Sequence, residues 1–241
     1  MDTAQTSPPA AAGVRTELRG ELGRYYDGDR PDLAALVPRD ARTVLDVGCG
    51  TGSLGAALKR FLGAEVAGIE LFPEAAAQAE RRLDHFIQAD LDRLEALPFP
   101  AGHFDVAIFG DVLEHLRDPE RLLRVVRRYL SPEGRIICSV PNIKHWSVLL
   151  PLLVNDAFAY TDAGLLDRTH VHFFTLEELG SMLTRAGFEP KHLDAHRIPM
   201  PDAALVLADA AEALGAERAE TLGRLEAYQY LVVAMPVPQS D

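Results

Sequence analysis

The stretch 44–55 constrains the fold of this chain more than any other part of the sequence. It reads Val-Leu-Asp-Val-Gly-Cys-Gly-Thr-Gly-Ser-Leu-Gly, an apolar run that leads into glycines at alternate positions. Apolar residues at helical spacing follow at once, at Leu54, Ala57, Leu58, Phe61 and Leu62. The pattern predicts a strand, a tight turn and a helix. Glycines permit the unusual torsions of such a turn and leave room for a ligand against the backbone.

Two kinds of ligand compete for this turn. Gly50 to Gly55 satisfies the G-x-G-x-x-G pattern of dinucleotide sites, and Glu70 follows about 20 residues on. That interpretation predicts an NAD-dependent oxidoreductase. The longer string is more specific, because Asp46 inside the strand suits a ligand with an ammonium group and would repel a pyrophosphate. A structural turn without a ligand is the third interpretation.

The length of 241 residues allows one α/β domain with a full core, whereas two domains would be cramped. No apolar run reaches the roughly 18 residues of a membrane span, and the N-terminus lacks the basic and apolar segments of a secretory signal. Cys49 and Cys138 fall in predicted strands or just after them, as small residues near the sheet. We therefore predict a cytoplasmic protein that does not bind membranes.

The formal net charge of −12 argues against nucleic-acid binding, which relies on cations that neutralise phosphates. Four arginines do cluster, but they recur at helical spacing beside apolar residues and indicate a solvated helix face: Arg121, Arg124, Arg127 and Arg128. The predicted partner is a small molecule.

Residues 1–14 are rich in Ala, Pro, Ser and Thr without periodicity, which predicts a disordered tail. The remaining residues, 15–241, are predicted to form a single domain. Its N-terminal helices occupy 15–40, with helical patterns over 15–26 and 31–37 that place Tyr26 near the ligand end of the sheet. Its core occupies 41–141 and 175–236, and an insertion over 142–174 forms a lid.

From Thr43 onward predicted strands and helices alternate, which indicates a parallel sheet with helices on both faces. The second strand, 65–70, ends at Glu70, whose carboxylate can accept the two hydroxyls of a ribose, and Leu71 follows it. A third strand over 84–88 leads to Asp90 and Leu91.

The fourth strand, 104–109, runs into Gly-Asp-Val-Leu-Glu-His at 110–115. Histidine is the side chain that titrates nearest to neutral pH, so His115 suits a general base, with packing or capping of the turn as the alternative. A helix is predicted from Pro119 to Leu130, a turn over 131–134 and a fifth strand over 135–140.

Together these stretches resemble the ordered motifs of class I S-adenosylmethionine (SAM) dependent methyltransferases, over residues 43–236. The resemblance is carried by VLDVGCGTG at 44–52, the acid that ends the second strand, FDVAIFGDVLEHL at 104–116 and LSPEGRIICSVPN at 130–142. It implies a Rossmann-like, doubly wound α/β fold whose seven-stranded sheet has the order 3-2-1-4-5-7-6, with the last strand antiparallel and a lid after the fifth strand. It also implies SAM as cofactor and S-adenosyl-L-homocysteine as product, bound by Tyr26, Asp46, Gly48, Cys49, Gly50, Gly52, Glu70, Leu71, Asp90, Leu91, Gly110, Asp111 and Val112.

The lid is aromatic and aliphatic, and it closes with Asp-Arg-Thr-His-Val-His-Phe-Phe at 167–174. His170 and His172 alternate, so on an extended segment both side chains point the same way, and we predict substrate contact or acid–base work for one of them. A metal site with Asp167 is poorly supported, and we predict no metal. The segment resembles the end of the lid in bacterial methyltransferases related to ubiquinone-biosynthesis and glycan-modifying enzymes.

After the lid, a capping box at 175–178 predicts a helix that Gly187 stops. A strand over 188–198, a helix over 202–215 and a last strand over 228–234 follow.

These features predict direct in-line transfer of a methyl group to a hydroxyl of a sugar or natural product. His115 is the first candidate for the base, then His170 or His172. Transfer to nitrogen or carbon stays open, as does a non-catalytic SAM-binding module. The residues leave the oligomeric state open, with a dimer as one option.

Overall fold

The computed structural model of this protein describes residues 30–238, and its centre is a seven-stranded sheet. The strands are β1 (Thr43–Val47), β2 (Glu65–Glu70), β3 (His85–Gln88), β4 (Phe104–Gly110), β5 (Leu130–Pro141), β6 (Phe188–Arg197) and β7 (Ala227–Pro236). The helices are α1 (Pro31–Leu36), α2 (Ser53–Leu62), α3 (Pro73–Arg82), α4 (Pro119–Arg127), α5 (Trp146–Asn155), α6 (Leu176–Arg185), α7 (Leu205–Ala213) and α8 (Arg218–Glu226). The predicted tail, the helix over 15–26 and Tyr26 lie outside the described residues.

The strand order is β3-β2-β1-β4-β5-β7-β6, which confirms the predicted topology. β1 lies between β2 and β4 and is parallel to both, with Asp46 beside Gly68 on one side and Ile108 on the other. β7 is antiparallel to both of its neighbours, β5 and β6. The strand order changes direction next to β1, and open α/β sheets bind ligands beyond the carboxyl ends of the strands at such a point.

Alternate residues of the buried strands pack on opposite faces of the sheet. Val44, Val106 and Ile108 contact the side covered by α1, α2 and α3. Leu45, Ala107 and Phe109 contact the side covered by α4 and α6. The central strands are apolar on both faces because helices cover both, as parallel sheets require.

Two boundaries differ from the sequence prediction. α4 ends at Arg127 rather than Leu130, because Leu130 already pairs with Phe104 in the sheet. The predicted turn over 131–134 is part of β5 and forms an irregularity in its pairing, since the next paired residues are Val106 and Arg135. The helix α8, before β7, was not predicted at all.

The segment 142–174, which the sequence predicts to be a lid and which we call the lid below, leaves the sheet after β5 and returns beside its starting point, where Asn142 and Phe174 form a bridge. Asn142 is buried, and its side-chain amide donates to the carbonyls of Arg224 (2.8 Å) and Ala227 (2.7 Å). These bonds tie the root of the lid to the end of α8. Within residues 30–238, no helix is both long and apolar enough to cross a membrane.

Candidate active site

The glycine turn after β1 has the strained geometry that its sequence predicts. Gly48, Gly50 and Gly52 all have positive φ, at 71°, 53° and 76°. A Cβ on Gly48 would lie 2.5 Å from Cγ2 of Val112, so this glycine lets the turn after β4 pack against the turn after β1. A Cβ on Gly50 would meet nothing within 4 Å, which leaves open space beside the backbone at that position.

Two carboxylates lie under and beside this turn. Asp46 is 4% exposed, and its Oδ2 has no hydrogen-bond partner among the described residues. Burial raises the pKa of Asp46 to about 7, against the opposing effect of Arg30. Glu70 accepts three backbone N–H groups, from Gly50 (2.9 Å), Leu71 (2.7 Å) and Phe72 (2.9 Å). Glu70 therefore joins the end of β2 to the glycine turn.

Asp111 is the centre of a buried polar network that the sequence did not reveal. It has a positive φ of 57°, its carboxylate pairs with Arg30, and it accepts hydrogen bonds from Ser139 (3.0 Å) and Gln229. Burial raises the pKa of Asp111, although Arg30 and Ser139 favour its charged form. Arg30, Ser139 and Gln229 come from distant parts of the chain, and no local pattern marks them.

The residues that follow β2 and β3 lie at the same carboxyl end of the sheet as the glycine turn. Leu71 is 46% exposed, and its carbonyl accepts the side-chain amide of Gln88 (3.2 Å). Asp90 accepts the backbone N–H of Asp92 (3.0 Å), and the carbonyl of Leu91 accepts from Arg121 (2.7 Å). Arg121 thus holds this loop rather than forming part of a purely solvated helix face.

The structure brings together two of the three candidate histidines. The rings of His115 and His170 lie 4.8 Å apart in an edge-on arrangement. His172 instead contacts the carbonyl of Arg117 through Nε2 (3.3 Å) and stacks on Phe174. The expectation that His170 and His172 point the same way is therefore wrong. The segment is not an extended strand there, because the successive N–H groups of Val171 and His172 both donate to the carbonyl of Glu114, whereas successive N–H groups of a strand point to opposite sides.

Glu114 completes this cluster, and it was also missed from the sequence. It is 1% exposed, and its Oε2 has no hydrogen-bond partner among the described residues. Burial raises the pKa of Glu114 well above its usual value, and the neighbouring Asp111 adds to the effect. Glu114, His115 and His170 each offer one atom of a type that binds metals, all within 4.8 Å of one another. This set differs from the one that the sequence suggested around Asp167.

The two cysteines are free and buried. Burial raises the pKa of both thiols, so neither is an activated nucleophile. Cys49 lies in the glycine turn and Cys138 in the middle of β5, which agrees with the prediction of small residues near the sheet.

The site matches the chemistry of SAM at three points. The open space at Gly50 leaves the backbone accessible, Glu70 lies at the end of β2 where a ribose diol is bound in such folds, and the orphaned oxygen of Asp46 is an unused acceptor near the turn.

Comparison with known proteins agrees with this geometry. A family profile described as a methyltransferase domain matches residues 18–193. A ubiquinone biosynthesis O-methyltransferase of Ruegeria pomeroyi is 32% identical over 184 residues, 73% of this chain and 69% of that protein. One from Xanthomonas axonopodis is 39% identical over 186 residues, 69% of this chain and 76% of that protein. The match to a Cereibacter sphaeroides relative covers 65% of that protein, slightly less than two thirds.

Solved structures share the fold. A SAM-dependent methyltransferase from Mesorhizobium loti is 24% identical with a TM-score of 0.58, over 85% of this chain and 95% of that one. The [4+2]-cyclase SpnF is 21% identical with a TM-score of 0.57, over 87% of this chain and 82% of that one. Since a cyclase shares the architecture, the fold alone does not specify the reaction.

The chain belongs to the family of SAM-dependent methyltransferases. Its cofactor class is S-adenosyl-L-methionine, and the dinucleotide interpretation of Gly50 to Gly55 finds no support in the relatives above.

Proposed function

We propose that this protein transfers the methyl group of SAM to a hydroxyl of a small molecule, a sugar or a natural product. The observation that carries the proposal is the position of His115. His115 is exposed, it ends the short 3-10 helix Leu113–His115 that follows residues 110–112, and the lid contacts its imidazole through Thr169. The relatives in Ruegeria and Xanthomonas are named O-methyltransferases, which supports an oxygen acceptor.

Bound SAM would supply a methyl group carried by its sulfonium sulfur. The leaving group would be the thioether S-adenosyl-L-homocysteine. The acceptor oxygen would form its new bond to that methyl carbon as the carbon–sulfur bond breaks. The acceptor proton passes to Nε2 of His115 and then to solvent. Asp46, Glu70 and the glycine turn would hold the cofactor, and the remaining contacts would be those implied for Leu71, Asp90, Leu91, Gly110, Asp111 and Val112.

The lid contributes an apolar wall for the acceptor. Phe158, Tyr160 and Phe173 form an aromatic cluster with ring centroids 5.7 to 6.4 Å apart. Phe158 and Tyr160 are 37% and 55% exposed, so their faces are available to a ligand. Aromatic rings bind the apolar faces of sugars and aromatic natural products alike. We also propose that the protein is cytoplasmic and that its partner is a small molecule.

Calorimetric titration with SAM, S-adenosyl-L-homocysteine and NADH tests the cofactor first. We expect both adenosyl ligands to bind and NADH not to bind. Binding of NADH alone would replace this proposal with the oxidoreductase. Transfer of a labelled methyl group from SAM to a panel of phenols, sugars and amines then tests the acceptor, and methylation of amines only would exclude the hydroxyl.

His115→Ala tests the base on any acceptor found. We expect turnover to fall about 10²- to 10⁴-fold, the usual contribution of general acid–base catalysis, with SAM affinity unchanged. His192→Ala is the control, because His192 is exposed on β6 and has no part in the site. An equal loss of SAM affinity in His115→Ala would make His115 a structural residue.

A further inference from the structure

We propose that Thr169 and Asp167 of the lid orient His115 and select the tautomer in which it can act as a base. The proposal deepens the proposed function and rests on His115 as the base. Three groups form a hydrogen-bonded chain that runs from the lid to the imidazole: the Asp167 carboxylate, the Thr169 hydroxyl and Nδ1 of His115.

The distances define the chain. The Thr169 hydroxyl lies 2.6 Å from Oδ1 of Asp167, and the backbone N–H of Thr169 donates to the same oxygen (2.8 Å). Nδ1 of His115 lies 3.1 Å from the Thr169 hydroxyl oxygen and 3.3 Å from the Thr169 carbonyl oxygen. All of these contacts are within hydrogen-bonding distance.

The donors and acceptors leave one consistent assignment. A hydroxyl has a single proton, and the short contact to the Asp167 carboxylate uses the proton of Thr169. The Thr169 carbonyl can only accept. Both oxygens near Nδ1 therefore act as acceptors, so Nδ1 of His115 carries the proton. Nε2 then has a free lone pair, which is the state that a general base requires.

The groups around His115 differ in how readily they carry charge. Burial raises the pKa of Asp167, yet the hydrogen bonds from Thr169 outweigh it and hold that pKa below its usual value. Burial and the nearby His115 lower the pKa of His170, so this ring stays neutral. Burial raises the pKa of Glu114, and Asp111 pairs with Arg30. Asp167 is thus the ionised group that the chain couples to His115.

The chain exists only while the end of the lid lies on the turn after β4. The backbone N–H groups of Val171 and His172 both donate to the carbonyl of Glu114, at 2.9 and 3.1 Å. The ring of His170, whose Nδ1 contacts the carbonyl of Leu165 within the lid (3.3 Å), lies 4.8 Å from the ring of His115. Docking of the lid therefore supplies the acceptors that set the tautomer of His115.

The tautomer is measured directly by NMR on the full chain labelled with ¹⁵N-histidine, with S-adenosyl-L-homocysteine added and His115→Ala used for assignment. We expect Nδ1 of His115 to be protonated at neutral pH in the wild type. In Thr169→Val, which keeps the shape but removes the hydroxyl, we expect a mixture of both tautomers. Thr169→Ser should restore the wild-type spectrum, which loss of a merely structural side chain would not predict.

If Nε2 of His115 is protonated and Nδ1 is unprotonated in the wild type, the proposal is overturned. In Asp167→Ala, the Thr169 hydroxyl loses the acceptor of its proton and becomes free to donate to Nδ1 of His115, so we expect a mixture of both tautomers. An unchanged tautomer in this variant would also overturn the proposal. Since neither readout needs an acceptor, either can fail while the proposed methyl transfer stands.

Metal binding is the competing use of this cluster, and the same sample tests it. Addition of Mn²⁺ or Zn²⁺ would affect His115 and His170 together if Nε2 of His115 were a ligand. A metal there would occupy the lone pair that a general base needs, so that result would overturn the proposed use of the Nδ1-protonated tautomer as a base. With an acceptor in hand, Thr169→Val should lower kcat about 10- to 100-fold, with little change in KM, and Thr169→Ser should recover most of the loss.

Discussion

Replacement of Gly48 by alanine tests whether the turns after β1 and β4 are held together by close packing. The new Cβ would lie 2.5 Å from Cγ2 of Val112, a buried β-branched side chain with little freedom to move. The backbone there has a φ of 71°, which costs a residue with a Cβ about 1–2 kcal/mol. Overpacking adds about 1–3 kcal/mol. The expected loss of unfolding free energy is the sum, about 2–5 kcal/mol.

A loss of that size lowers Tm by about 2–4 °C for each kcal/mol in a chain of this length, which thermal denaturation measures readily. Gly63→Ala is the matched control, because Gly63 has a similar φ of 68° but nothing within 4 Å of its new Cβ. It should cost only the backbone term. Gly48→Ala combined with Val112→Ala should destabilise by less than the sum of the two single changes. Equal losses for Gly48→Ala and Gly63→Ala, or strict additivity of the pair, would refute the packing argument.

Three further predictions concern the carboxylates. Glu70→Gln should cost about 2–4 kcal/mol of stability and weaken SAM binding, since an amide cannot accept all three backbone N–H groups. The control, Glu65→Gln at the exposed start of β2, should change neither the stability nor the SAM affinity. An unchanged SAM affinity in Glu70→Gln would remove the ribose role of Glu70. Because burial raises the pKa of Asp46 to about 7 in the folded state, Asp46 should make the protein lose stability as pH rises from about 4 to 7. In chemical denaturation, the unfolding free energy of Asp46→Asn relative to the wild type should therefore increase over that window and then level off. A free-energy difference that stays constant with pH would contradict the burial argument. Asp118→Ala should cost about 1 kcal/mol, since Asp118 caps α4 by accepting the N–H of Arg121 (2.9 Å), and no loss in urea denaturation would show that the cap is redundant.

Periodicity was sufficient to predict most of the fold because the strands and helices are local. Each buried strand is a short apolar run bounded by turn residues, and alternation of strands with helices restricts the topology to a parallel sheet. The errors fall where pairing with a distant strand overrides local preference. Residues 131–134 have turn composition, and they lie inside β5 as an irregularity because the residues on either side, Leu130 and Arg135, both pair with β4.

The candidate site divides in the same way. Asp46 and Glu70 stand at recognisable places on apolar strands, and their positions at the sheet edge agree with that pattern. The partners of Asp111 lie 28, 81 and 118 residues away in the chain, and no local signal predicts that they meet. His115 and Thr169 are 54 residues apart, so their contact depends on how the lid folds back.

The sequence by itself determined the class of fold and the kind of cofactor, because both depend on a strand, a glycine turn and an acid that are contiguous or follow in regular order. Only the tertiary structure decided which histidine Thr169 contacts, and that Glu114 rather than Asp167 lies within metal-binding distance of His115 and His170. The physical reason is that hydrogen bonds and burial act between residues that are close in space. For the lid, that closeness is set by packing on the turn after β4, which no local pattern encodes.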